Sequence, residues 1–295
     1  SITLIPQDTV TLTSTFSTLD QTLCKNEPIV PIIFTLSDAS SAINVTGLPT
    51  GLNYAISDTT LTISGTIASE FLVPKTYTFK VSSDNNSCEL SSITGYISSL
   101  PSPEINILNA ASPLIKTLDL DICNGDSIND IEIEYKNMSS LIVTNTLLPL
   151  GTDSLTLTNS ISKRQETSLI ITGTSSIVGE VYKINIAPIG GVATVFTYTT
   201  TETSRTSEQI AQGLFNLISN NATTVSATLD GSEITLYGTV SSTIFLVKPF
   251  VTGQALMTVN TTQSVEGKYV VSGTVSLSSD VTSFTLNLGP PSSSL

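Results

Sequence analysis

The side chains with the most chemical potential in this sequence are carboxylates. Asp119, Asp121, Asp126, Asp130, Glu132 and Glu134 form its densest acidic run. Extended backbone alternates its side chains, which places Asp119 with Asp121, and Glu132 with Glu134, on common faces. Calcium takes about six to eight oxygen ligands of this kind. Asp119, Asp121, Asp126 and Asp130 are therefore the candidate calcium ligands. No EF-hand spacing surrounds them, and the alternative is a solvated acidic face. The other reactive groups are three cysteines, Cys24, Cys88 and Cys123.

Histidine is absent. That removes Ser-His-Asp and Cys-His nucleophile systems and the commonest metal ligand. There is no Walker loop, dinucleotide-binding glycine motif or Cys-x-x-Cys pair, and no carboxylate pair is nominated by its spacing. An enzyme is not expected, nor any cofactor apart from the candidate calcium. Eleven basic residues against 24 acidic ones give a net charge of −13. Without a basic cluster to meet phosphates, nucleic acid is not an expected partner. No apolar run approaches the ~18 residues of a spanning helix, so membrane insertion is not expected.

The elements that position these groups read as strands. Charged residues make up 12% of the chain, against about 25% in typical soluble domains. Polarity comes instead from Ser and Thr interleaved with Val, Ile and Leu, a composition suited to pleated surfaces. One pattern is written twice. Cys24 leads through Gly47-Leu48-Pro49-Thr50-Gly51-Leu52 to Leu61-Thr62-Ile63-Ser64-Gly65-Thr66, and Cys123 leads through Leu147-Leu148-Pro149-Leu150-Gly151 to Leu169-Ile170-Ile171-Thr172-Gly173-Thr174. The cysteines are 99 positions apart (123 − 24), about the length of one sandwich domain. A fixed period of this kind predicts a tandem array.

The first unit is expected over 1–101, with Leu100-Pro101-Ser102-Pro103 as a short stiff linker. The second is expected to begin with 102–186 and to be interrupted by a small ββαββ module over 187–266. In that module Thr206-x-x-Gln209 matches a capping box, and Ile210, Leu214 and Leu217 give an apolar helical stripe. Asp230-Gly231 between alternating segments predicts a hairpin. Tyr269–Val275 matches Ile93–Ile97 and is expected to close the second sandwich over 267–282. Residues 283–295 are expected to open a further repeat. The fold class is mainly β: tandem Ig-like sandwiches, the second carrying the chain's clear helix in its insertion. Strand-like sequence at both ends reads as an internal or mature piece of something longer.

Cys24-Lys-Asn-Glu-Pro-Ile, Gly47-Leu-Pro-Thr-Gly-Leu, Leu61-Thr-Ile-Ser-Gly-Thr and Tyr77-Thr-Phe-Lys-Val resemble the Ig-like repeats of giant Bacteroidota surface adhesins, the SprB type of gliding-motility adhesin among them. The resemblance implies an extracellular, cell-surface protein exported by the type IX system. Its repeats would form a stalk or filament for cell adhesion. Its partners would be neighbouring repeats of the same chain, with surface glycans or proteins as further candidates. Export would suit a Cys24–Cys88 disulfide, with two free thiols as the alternative, and would leave Cys123 as an unpaired thiol. Asp8-Thr9-Val10, Asp58-Thr59-Thr60, Asp126-Ser127-Ile128 and Asp153-Ser154-Leu155 resemble the Bacteroidota O-glycosylation signal, making Thr9, Thr59, Ser127 and Ser154 acceptor candidates. Ordinary turn capping explains the same triplets. Two other readings are a carbohydrate- or protein-binding module that recognises through the insertion, and an accessory region of a secreted enzyme or viral fibre.

Overall fold

The computed structural model describes residues 9–24, 26–37, 43–68, 72–83, 92–108, 127–138, 142–145, 154–202, 204–239, 243–253, 255–274 and 286–289. The first unit contains Val10–Leu12 (β1), Asp20–Leu23 (β2), Ile32–Leu36 (β3), Ile43–Thr46 (β4), Leu52–Ser57 (β5), Thr60–Gly65 (β6), Lys75–Ser83 (β7) and Ser92–Ser99 (β8). They form two four-stranded sheets, ordered β1-β3-β6-β5 and β2-β8-β7-β4. Period-2 patterning is the cause. Ile32, Phe34 and Leu36 of β3 are buried while Thr35 is exposed, and Leu61 and Ile63 of β6 and Phe79 and Val81 of β7 are buried likewise. These side chains meet in one core between the sheets. The β2–β8 pairing is parallel, from Asp20↔Tyr96 to Leu23↔Ser99. The other pairings in this unit are antiparallel. A turn of 3-10 helix at Phe16–Leu19 carries the chain from β1 in one sheet to β2 in the other. This is the strand order of an immunoglobulin-type sandwich, with its first strand divided between the two sheets.

The Gly-Leu-Pro-x-Gly motif has a direct physical basis here. Gly47 and Gly51 hold φ of +78° and +98°, and a Cβ on either would stand 2.1 Å from a carbonyl oxygen, of Thr78 and Thr66 respectively. Only glycine fits such close backbone approach at positive φ.

The second unit opens with Glu104–Ile107 (β9), Ser127–Lys136 (β10), Ile142–Asn145 (β11) and Ser154–Lys163 (β12). The insertion follows: Glu166–Thr172 (β13), Thr174–Ser175 (β14), Val181–Pro188 (β15), Thr194–Thr199 (β16), Arg205–Thr206 (β17), helix Ser207–Asn221 (α1), Val225–Asp230 (β18), Glu233–Gly238 (β19), Phe245–Val251 (β20) and Leu256–Gln263 (β21). Glu266–Thr274 (β22) and Leu286–Gly289 (β23) return to the second unit. Its sheet runs β9-β10-β22-β12, the same order as β1-β3-β6-β5, and β11 pairs with β23 as β4 pairs with β7. By position β22 is thus the counterpart of β6, and β23 of β7.

That correspondence locates the insertion. In the first unit β5 and β6 are joined by the tight turn Asp58-Thr59, with Ser57 opposite Thr60. In the second unit the same hairpin position is held by Lys163 opposite Glu266, and the insertion lies between them. The Lys163 ammonium meets the Glu266 carboxylate at 2.8 Å, clasping the two ends of the graft.

Three expected boundaries do not follow this pairing. The division at 186/187 cuts β15, which is bonded to β16 and β20, and β13 is bonded to β19 and β21, so both belong with the insertion. Tyr269–Val271 corresponds to a strand inside the sandwich, not to the closing strand Ile93–Ile97. Leu286–Gly289 pairs with β11 of the second unit and does not open a further repeat. The misleading signal was Ile171-Thr-Gly-Thr. The structural counterpart of Ile63-Ser-Gly-Thr is Val271-Ser-Gly-Thr, and Val271 stands opposite Ile131 as Ile63 stands opposite Ile32. An alternating aliphatic segment accepts any antiparallel partner that buries its apolar face, so pattern alone does not choose among them. Leu169 and Ile171 bury theirs against the insertion's helix and sheets.

The insertion has its own core. The sheets β18-β19-β13-β21 and β16-β15-β20 contribute to one apolar cluster with α1, while β14 and β17 pair as a separate short ribbon. Thr206 and Gln209 form the expected reciprocal capping box. Ile210, Ala211, Leu214 and Ile218 are buried, so the helical stripe packs on its own module rather than presenting a groove. The Asp230-Gly231 turn closes β18 onto β19, with Asp230 opposite Glu233.

Candidate functional site

Of the acidic cluster, Asp119, Asp121 and Asp126 lie outside the described residues. Asp130 falls in β10, where pairing with β22 shifts register between Ile128 and Ile131. The neighbouring carboxylates are matched across the sheet: Glu132 meets Lys268, while Glu266 lies between Lys136 and Lys163. Cross-strand pairs of opposite sign stabilise a sheet by about 0.2–1 kcal/mol each. Among the described residues, no group of three or more acidic, Cys or His side chains is placed to hold a metal ion.

Cys24 is half-buried, and its amide donates to Glu27 Oε2 at 3.0 Å. Burial, and then the Glu27 carboxylate, push its thiol up from the ordinary value. Cys88 and Cys123 lie outside the described residues, and the expected Cys24–Cys88 bond with them. Thr9 and Thr59 are exposed, the latter in the β5–β6 turn. Ser127 and Ser154 each begin a strand, and each stands opposite Thr274 of β22.

The structure brings together a different set, which sequence reading passed over. Strand β20 is the edge of β16-β15-β20. Its alternate residues Phe245 and Val247 enter the insertion's core. Leu246 and Lys248 face the opposite way, yet they are only 4% and 8% exposed. What covers them is the first sandwich. Lys248 Nζ meets Asp20 Oδ1 at 2.5 Å, and Tyr96 Oη donates to the Pro249 carbonyl at 2.8 Å. Beside these contacts a cleft of about 270 Å³ is lined by Leu72–Thr76 of the first unit and by Phe245–Val247 and Val259–Thr261 of the insertion. Burial, and then the Asp20 charge, push the Tyr96 phenol up to about 12.

The contact is polar for its position. Asn185 lies opposite Lys248 in the β15–β20 register, and its buried Oδ1 has no hydrogen-bond partner among the described residues. Further along the same face, Lys183 lies over the Phe250 ring at 5.6 Å. The one sequence signal was a lysine in an otherwise apolar strand, Phe245-Leu-Val-Lys-Pro-Phe. Asp20 and Tyr96 carried no comparable mark.

No family model matches the chain, and no curated protein matches it. Among solved structures it is similar to the I9–I11 tandem of titin, at 7% identity and a TM-score of 0.22 over 85% of this chain and 97% of that one. A BspA_C mutant gives 8% identity and a TM-score of 0.23 over 96% of each chain. A structure of the carbohydrate-binding modules of the β-sandwich superfamily gives 11% identity and a TM-score of 0.19 over 89% of this chain and 96% of that one. At these values the likenesses carry no argument about function. The mainly β, sandwich-based class rests on the strand order itself.

Proposed function

We propose that the chain is a non-enzymatic stalk segment of a secreted bacterial surface adhesin, of the Bacteroidota repeat type that includes gliding-motility adhesins. The observation that carries this reading is recurrence at the level of strand order: β1-β3-β6-β5 returns as β9-β10-β22-β12, and β4–β7 returns as β11–β23. Repeats that contact their neighbours build length, and length is what a stalk supplies. The linker suits that role. The Leu100 amide donates to the Leu23 carbonyl at 3.0 Å, and Asn137 Nδ2 donates to the Ser102 carbonyl at 2.9 Å. Two prolines limit bending, and these bonds tie the linker to the units on either side.

Antibodies raised against this chain should label intact cells, and external protease should remove the label. An in-frame deletion of these residues should weaken surface attachment while the rest of the protein is still exported. Labelling only after lysis would overturn the reading. Sugar on Thr9, Thr59, Ser127 or Ser154 would raise the mass of the peptides that carry them above that of the bare sequence.

A further inference from the structure

We infer that the insertion is a brace: the outward face of β20 docks on the flank of the preceding sandwich through Asp20–Lys248 and Tyr96–Pro249, fixing the angle across the linker by a latch that can release. The occupant of this surface is the first sandwich of the same chain, because it is seen there. Burial across the outward face shows that the cover is specific. On β20, Leu246 and Lys248 are 4% and 8% exposed, but Phe250 is 37% exposed, and Val195, on the far strand β16, is 58% exposed. A sheet face dry at one end of its edge strand and wetter elsewhere is covered there by a partner, not by its own fold.

The brace gives the two repeats a second connection. The first is the Leu100–Pro103 linker. The second runs from β12 and β22, clasped at Lys163–Glu266, through the insertion to Asp20 and Tyr96. With both in place the units cannot pivot about the linker without breaking the contact at β20. The contact is made for release rather than permanence. Among the described residues of that face Leu246 is the large aliphatic side chain buried there, beside an ion pair, a hydrogen bond and the buried Asn185 acceptor. Inter-domain interfaces of this polar kind open and close more readily than large apolar ones. The position of the graft also matters. A hairpin between β12 and β22 places both of its ends side by side, so the second sandwich keeps its sheet while the insertion reaches back.

Zero-length carbodiimide coupling of the full chain, followed by peptide mass spectrometry, tests the docking, with the Lys163–Glu266 pair as internal control. The expected result is an Asp20–Lys248 cross-link in the unmodified protein, lost to background in Lys248→Met while the control cross-link persists. Small-angle scattering tests the brace: Lys248→Glu should increase the radius of gyration, and the exchanged pair Asp20→Lys with Lys248→Asp should restore it. Far-UV circular dichroism on each variant separates undocking from misfolding, and the exchanged pair keeps the test decisive if Lys248→Glu folds poorly. A control cross-link without Asp20–Lys248 coupling, or an unchanged radius in a folded Lys248→Glu, overturns the proposal. Neither readout depends on where the protein resides, so this test and the surface-labelling test can fail separately.

Discussion

Tyr96 and Pro249, 153 positions apart, are joined by a 2.8 Å hydrogen bond from the phenol to the backbone carbonyl. The phenol's proton is therefore part of the contact between the first sandwich and the insertion. Its ordinary value of 10.0 is pushed up to about 12. Between these values the folded protein holds the proton and the unfolded chain releases it, so stability falls as pH rises through that window. The contribution is complete below pH 10 and lost above about 12. Burial also raises Tyr135 and Tyr182, so absorbance titration at alkaline pH should show a group of late-ionising tyrosines that loses one member in Tyr96→Phe. An unchanged titration curve would remove the phenol from the interface.

Asp20→Asn should loosen the docking more than Lys248→Met. The first change leaves a buried ammonium without its carboxylate; the second removes the buried charge and keeps most of the apolar stem. Hydrogen bonds to charged groups contribute about 1.5–3 kcal/mol, and leaving a buried charge unmatched costs more than replacing it. Thermal unfolding of both variants gives the order. Equal losses, or a greater loss for Lys248→Met, would mean that the pair is effectively solvent-exposed.

Gly95→Ala should destabilise the first sandwich. Alanine in a strand interior ordinarily gains about 0.5–1 kcal/mol over glycine through backbone entropy. Gly95 stands opposite Phe79, however, and an added Cβ would lie 2.4 Å from its ring and 2.8 Å from the Leu19 carbonyl oxygen. Overpacking of this kind costs about 1–3 kcal/mol and should prevail. Denaturant titration decides the sign, and a stabilised variant would show that the Phe79 ring can yield.

Thr206→Ala should cost the insertion about 1 kcal/mol by removing the cap that accepts from the Gln209 amide. Hydrogen exchange in the first turn of α1 should quicken while the first sandwich is unaffected. Equal quickening in both would argue that the insertion and the sandwich unfold as one body.

In the reduced protein Cys24 should alkylate slowly near neutral pH, because burial and Glu27 both disfavour the thiolate that reacts. Glu27→Gln should speed the reaction by raising the thiolate fraction. Iodoacetamide labelling followed by peptide mass spectrometry reads the rate at Cys24 apart from Cys88 and Cys123.

The sequence by itself determined what depends on near neighbours in the chain. Alternation in Ile32–Leu36, Thr60–Gly65 and Lys75–Ser83 identified strands, because side-chain direction reverses at every residue. Gly47 and Gly51 marked their turn, Thr206 and Gln209 their cap, and Asp230-Gly231 its hairpin, each through local backbone geometry. Tertiary structure decided which strands pair and what the insertion touches. Leu169–Thr172 and Val270–Thr274 are both short aliphatic runs that lead into a Thr, and only the burial available around each sends one to the insertion and the other to the sandwich. Asp20, Tyr96 and Lys248 give no sign of one another in the chain. Their meeting depends on a graft between β12 and β22 that folds on its own core and returns to the preceding repeat, a contact whose free energy is spread over residues far apart in sequence.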